Sequence, residues 1–335
     1  MTASVKMLHQ QVKNIFISDA QIDEILADID ECREDSDRIS EPECLIVVGD
    51  SGSGKTTIID KYLSDNPRME ANDGSIIPIL FTSLPANANP VTASERLLSS
   101  MGDPLAFNHG KDPAELMKIV KDLLRECRVE LIIIDEFQHM IDRKSKDVLH
   151  ITADWLKMII IESKIPVVLF GMPYSTEILR ANNQLRGRFE SQHHLKPFKV
   201  KKTSERIRYK TFLTMLDAAL PFSTKSGLAS EDLMKRVYVF SKGNMRLIRR
   251  LINKAAKFAL LENAPCISLM HFARAAPKVS RDACESFNPF DVDIKQLKII
   301  EPSDDVGSGP AAKKKKLDGS GGWENYLAAK GDGPH

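Results

Sequence analysis

Nine residues constrain this chain more than any others: Gly49-Asp50-Ser51-Gly52-Ser53-Gly54-Lys55-Thr56-Thr57. They match G-x-x-x-x-G-K-[ST], and the context is the one that pattern requires. CLIVVG (44–49), a short apolar run ending in glycine, reads as a buried strand, and Gly54 to about Ser64 reads as a helix. Glycines let the backbone curl so that its N–H groups face a phosphate, and the helix N-terminus adds partial positive charge there. Lys55 is expected to reach the β- and γ-phosphates of ATP, and Thr56 to hold Mg²⁺.

Such a loop needs a sheet behind it, and the chain supplies one. SIIPILFTSL (75–84) reads as one strand, with Pro78 marking an edge or bulge. LIIIDE (131–136) and IPVVLFG (165–171) are continuous apolar runs, hence buried strands. Between them lie helical segments: PVTASERLLSSMG, DPAELMKIVKDLLREC with Asp112 as cap and Pro113 at its first position, and SKDVLHITADWLKMIIIES. Alternating strand and helix predicts a parallel sheet covered on both faces. Upstream, SDAQIDEILADIDECRED is an amphipathic helix capped by Ser18-Asp19. Beyond about Lys201 the pattern is helical only, to roughly Ala276. The expected fold class is α/β, a P-loop domain followed by a small all-helical lid. Its parts are an N-terminal helical segment (1–40), a nucleotide-binding domain (41–200), the lid (201–276), a tail (277–306) and an appended segment (307–335).

Two acids end the LIIIDE strand. Asp135 is placed to bind Mg²⁺ through water, and Glu136 to polarise an attacking water; solvent-facing acids at a strand end are the plainer alternative. QLRGRFE (184–190) offers Arg186 and Arg188 in a Gly-containing turn, either able to reach a neighbour's γ-phosphate. Arg246, in the first turn of SKGNMRLIRRLINKAAKFAL, can contact phosphate from the lid. His193-His194 has no Cys or acid at ligand spacing, which argues against a metal site.

Composition narrows the classes. A net charge of +1 over 335 residues argues against a wholesale nucleic-acid coat, though a local basic groove fits inside such a balance. No run of about 18 apolar residues occurs, so no membrane span is expected. Five scattered cysteines without a C-x-x-C pair point to reduced thiols in a cytosolic protein. From Gly307 the chain reads GSGPAAKKKKLDGSGGWENYLAAKGDGPH. Gly/Ser joints there surround a block resembling a nuclear localisation signal, an engineered addition directing the chain to a nucleus, with tag-like sequence after it. A natural lysine-rich nucleic-acid tail is the competing reading.

Together these segments resemble the AAA+ ATPases, and more closely the TniB/TnsC family of transposition regulators. The lines carrying this are GDSGSGKTTIIDKYL, VELIIIDEFQHMIDRKSKDVLHITADWLKMI, KIPVVLFGMP, NQLRGRFE and GNMRLIRRLINKAAKFAL. The resemblance implies an ATPase that oligomerises on double-stranded target DNA as a ring or helix and recruits a transposase, hydrolysis resetting the assembly. It also implies a target-selection protein or CRISPR effector adaptor as partner. By the same resemblance Lys55 and Thr56 are the Walker A pair, Asp135 and Glu136 the Walker B pair, and Arg246 the lid sensor. Arg188 best matches the arginine finger, ahead of Arg186.

One departure stands out. Many AAA+ proteins carry a polar side chain just after the fourth strand, and here the residues are Phe170-Gly171-Met172-Pro173, which predicts slow hydrolysis. For DNA contact the sequence offers Lys111, Arg143, Lys144 and Lys146, where a solvated loop is the alternative; no base-reading motif is evident. The Phe287-Asn288-Pro289-Phe290 peptide in the tail suits either docking to a partner or folding back as a strap. A scaffold ATPase acting without DNA, and a helicase loader, remain alternatives on these residues.

Overall fold

The chain opens with two helices, α1 (Ala3–Asn14) and α2 (Ala20–Asp35), that belong to different parts of the molecule. In the computed structural model, residues 3–35, 41–72, 74–142, 145–280, 284 and 287–301 are described. Among these, 20–196 form one compact unit, and 3–19 with 197–301 form the other. The appended segment, including its lysine block, lies outside the described residues, as do Arg143 and Lys144.

The first unit is α/β. Its strands are β1 (Leu45–Gly49), β2 (Met69–Ala71), β3 (Gly74–Ile76), β4 (Ile79–Ser83), β5 (Leu131–Asp135), β6 (Val167–Gly171) and β7 (Ser191–Leu195). Five of them make a parallel sheet in the order β4-β5-β6-β1-β7. All residues of β1, β5 and β6 are buried, as continuous apolar runs require when both sheet faces are covered. The expected strand over 75–84 is two strands, β3 and β4: β3 pairs with β2 as a small antiparallel ribbon, and β4 is an edge of the main sheet. Pro78, which has no N–H, marks the break, and its carbonyl instead accepts from Glu130 and Leu131.

Helices α3 (Lys55–Asp65), α4 (Pro90–Met101), α5 (Pro113–Glu126), α6 (Lys146–Ser163), α7 (Glu177–Ala181) and α8 (Asn183–Arg188) complete this unit. Asp112 caps α5 as expected, its carboxylate accepting from Ala114 N–H at 2.9 Å. Buried Trp155 on α6 donates to Ser94 on α4 at 3.0 Å, so the largest core side chain keeps its one polar atom satisfied. β7 has no counterpart among the expected strands. α2 fastens it: Asp28 accepts from Ser191 Oγ at 2.5 Å and from His193 Nε2 at 2.8 Å, which commits that histidine to a carboxylate.

The second unit is helical: α1, α9 (Thr203–Ala219), α10 (Glu231–Ser241), α11 (Met245–Leu261) and α12 (Leu269–Val279). Its core is rich in aromatics, among them Tyr209, Phe212, Tyr238, Phe240 and Phe272. The tail folds back onto this core. Phe290 stacks on Phe272 with ring centroids 5.4 Å apart, and Phe287 is buried with Val239 and Leu297. Pro277 inside α12 cannot donate to the carbonyl of Ala273, and the Asn288 amide fills that acceptor at 2.9 Å. Buried Arg236 holds the next turn, donating to the carbonyls of Pro289 at 2.7 Å and Val292 at 2.8 Å. The docking reading of Phe287-Asn288-Pro289-Phe290 is therefore corrected to the strap: both rings are in the core and the amide is engaged.

Candidate nucleotide site

Parallel strands deliver their carboxyl ends to one edge, and the register lines up the chemistry there. Gly49 pairs with Leu195, Val48 with Gly171, and Ser83 with Asp135. The crevice outside the carboxyl ends is where open α/β sheets bind ligands.

Between β1 and α3 the loop 49–57 wraps back on itself. Gly52 and Gly54 sit at φ 84° and 110°, values that aim successive N–H groups into one concavity and that side-chain-bearing residues rarely adopt. Lys55 is buried at 9% exposure, its ammonium donating to the carbonyls of Gly49 and, at 3.2 Å, Asp50. Ser53 Oγ is buried without a hydrogen-bond partner, while Thr56 and Thr57 are exposed in the first turn of α3. Asp50 beside the loop is pushed upward in pKa by burial, against the charges of His194 and Lys55. A cradle of inward N–H groups, an orphaned hydroxyl and a dehydrated lysine fits a triphosphate. The residues that could hold Mg²⁺ are Thr56 and Asp135, whose oxygens are hard ligands of the type that ion takes.

Asp135 is 6% exposed, and burial raises its pKa above the ordinary carboxylate value; the hydrogen bond from Glu136 N–H (2.8 Å) and the Lys55 charge oppose that. Glu136 follows at φ 57°, a left-handed conformation that is unusual for a residue with a Cβ and that recurs at functional sites. Its carboxylate accepts from Gln138 Nε2 and lies 4.0 Å from His139 Nε2. The other face of His139 meets Asp142 at 2.9 Å, and Asp142 accepts from the Tyr174 hydroxyl at 2.7 Å.

Gln138 went unnoticed in the sequence. It is 5% exposed, and its Oε1 accepts from Met172 N–H at 3.2 Å, just past the end of β6. Gly171 makes the approach feasible, because a Cβ there would stand 3.2 Å from Gln138 Oε1 and collide with Ser175. So the position where Met172 leaves a polar group missing is reached from another element. The signal was present as a pair: a glutamine two residues after Glu136, and an apolar residue after β6.

The arginines are placed unequally. Residues 183–188 form helix α8, capped by Asn182, where the sequence suggested a turn. Arg186 is exposed on it. Arg188 is 14% exposed, paired with Glu41 at 3.2 Å, and its Nη1 is buried without a partner. Arg246 is exposed in the helical unit. Of the expected DNA contacts, Lys111 pairs with buried Glu95, and Lys146 is exposed at the start of α6.

The family profile described as Bacterial TniB protein matches residues 7–200. No curated protein matches. Among solved structures, Aeropyrum pernix ORC2 in its ADPNP–ADP complexes is 13% identical with a TM-score of 0.55, covering 80% of this chain and 69% of that one. Aeropyrum pernix ORC1 in complex with DNA gives the same identity and TM-score, with 81% and 68% covered. CDC6P from Pyrobaculum aerophilum is 16% identical with a TM-score of 0.53, covering 78% and 67%. At these identities the likeness is one of fold.

Proposed function

Because this chain belongs to the bacterial TniB family, an AAA+ ATPase by family and fold, we propose that it regulates DNA transposition by assembling on duplex DNA with ATP. The assembly recruits a transposase, takes its target from a selection protein or CRISPR effector adaptor, and is reset by hydrolysis. The observation that carries the nucleotide half is the loop 49–57, with its buried Lys55 and its Gly52–Gly54 nest beside Asp135 and Glu136. An Aeropyrum pernix relative in fold was solved with DNA, which supports the duplex half.

Each residue then has a role. Lys55 leaves its two carbonyls for the β- and γ-phosphates, and loop N–H groups hold the α- and β-phosphates. Bound Mg²⁺, held by Thr56 and Asp135, would draw charge off the phosphates. Glu136 orients the attacking water, and Gln138 fixes that carboxylate against the end of β6. Arg186, exposed and without an ion pair to break among the described residues, is the arginine that reaches a neighbour's γ-phosphate, in place of Arg188. Arg246 contacts phosphate from the lid. Phosphate backbone contacts from Lys111 and Lys146 are sequence-independent.

The test is steady-state ATPase activity with and without random-sequence duplex. Stimulation by the duplex supports the reading. A rate indifferent to DNA, with oligomers formed by ATP alone, would move the chain to the scaffold class.

A further inference from the structure

Three helices of the second unit carry one sign of charge. α1 holds Lys6 and Lys13, α11 holds Arg246, Arg249, Arg250, Lys254 and Lys257, and α12 holds Arg274 and Lys278; none of the three contains an Asp or Glu. They pack together, α11 between α1 and α12. In a chain of net charge +1 this is a segregation of charge, since α2 alone carries a run of acids.

The cations converge into a strip. His9 on α1 contacts the Asn253 carbonyl at 3.1 Å. Its pKa is lowered first by burial and further by Lys13, Lys257 and Lys254, which places those three charges around it. The Phe258 ring is approached by Arg274 at 4.6 Å, Lys278 at 5.0 Å and Lys254 at 5.9 Å. Lys254 joins the two groups. Arg249 stands apart, donating to the carbonyls of Val12, Lys13 and Ile15 and so tying α1 to α11. Among the described residues, Glu262 pairs with the strip's Arg274 and with His271.

Like charges at i,i+4, as in Arg250–Lys254 and Arg274–Lys278, destabilise a helix. The Phe258 ring compensates Lys254, Arg274 and Lys278 locally but carries no countercharge, so the net positive strip suits an external anion. A small anion meets two or three such groups; this strip crosses three helices. α11, at 17 residues, is about 25 Å long, and a duplex offers a charge about every 1.7 Å along its axis.

We propose that the α1–α11–α12 face binds the phosphate backbone of duplex DNA, as a surface separate from the Lys111 and Lys146 loops. This rests on the DNA-binding reading above. The experiment is fluorescence anisotropy of a labelled random-sequence duplex, with a non-hydrolysable ATP analogue, over a salt series. It compares the full chain with the quadruple variants Lys13→Gln/Lys254→Gln/Lys257→Gln/Lys278→Gln and the same four to Glu, with circular dichroism confirming native helix content. The expected result is at least a tenfold loss of affinity and a log–log salt slope shallower by about 3. A glutamine variant with unchanged affinity and slope overturns this face and leaves it to an acidic protein partner, while DNA binding itself stands. An unmodified chain that fails to bind the duplex overturns both.

Discussion

Gln138 ties Glu136 to the backbone of Met172: Oε1 accepts the Met172 N–H at 3.2 Å, and Nε2 donates to the Glu136 carboxylate. This separates two contributions by substitution. Gln138→Glu keeps the acceptor and removes the donor; Gln138→Leu removes both. Each is expected to lower kcat for ATP about 10- to 100-fold, equivalent to about 1.4–2.8 kcal/mol, with KM unchanged. A raised kcat would show that the contact restrains Glu136 instead of positioning it.

The arginines divide by environment. Arg186→Ala is expected to abolish most ATPase activity of the assembled protein while leaving nucleotide binding and thermal stability intact. Arg188→Ala should lower the melting temperature, because it strips Glu41 and a largely buried guanidinium from the α/β unit. Thermal unfolding beside ATPase assays reads both. Activity loss confined to Arg188→Ala at full stability would return the finger to that residue.

The strap has a stability consequence. Phe290→Ala removes a ring stacked on Phe272 in the helical unit's core and is expected to cost about 3–5 kcal/mol in denaturant unfolding. Asn288→Ala, which frees the Ala273 carbonyl and also removes the side chain's hydrogen bonds to Asp291 Oδ2 and from Phe290 N–H, should cost about 1–3 kcal/mol. Equal stability of both variants to the parent would mean that the strap does not pack.

Burial pushes the Asp28 carboxyl up, but hydrogen bonds from Ser191 and His193 and the His193 charge outweigh it, so Asp28 lies below the usual 3.8. A depressed carboxylate stabilises the fold above its unfolded value, and that stability is lost as pH falls through the lower folded value. Asp28→Asn should therefore melt earlier than the parent at neutral pH. The gap should close as the pH drops below about 4. A gap constant over that range would show that the α2–β7 tie is not ionic.

Legibility tracked how each element is held. β1, β5 and β6 are buried on both faces, so their sequences are unbroken apolar runs and were readable at once. β7 reads SQHHL, with only Leu195 buried, because it is an edge strand held by α2 side chains from far away in sequence. The loop 49–57 was legible because phosphate binding fixes residue types at fixed spacing. Gln138 was not, because its role depends on the register that sets the end of β6 beside β5, which no local pattern encodes. For Phe287-Asn288-Pro289-Phe290 the sequence left docking and strap both open, because the acceptor that Asn288 fills is created by a proline in α12 and shows only in the fold.

The most direct test of the account is cosedimentation of residues 1–306 with a non-hydrolysable ATP analogue, with and without duplex DNA. The account predicts large assemblies only when both ligands are present, and none for Lys55→Ala. Assemblies that form equally without DNA, or with Lys55→Ala, would contradict the claim that the phosphate held at 49–57 licenses assembly on the duplex.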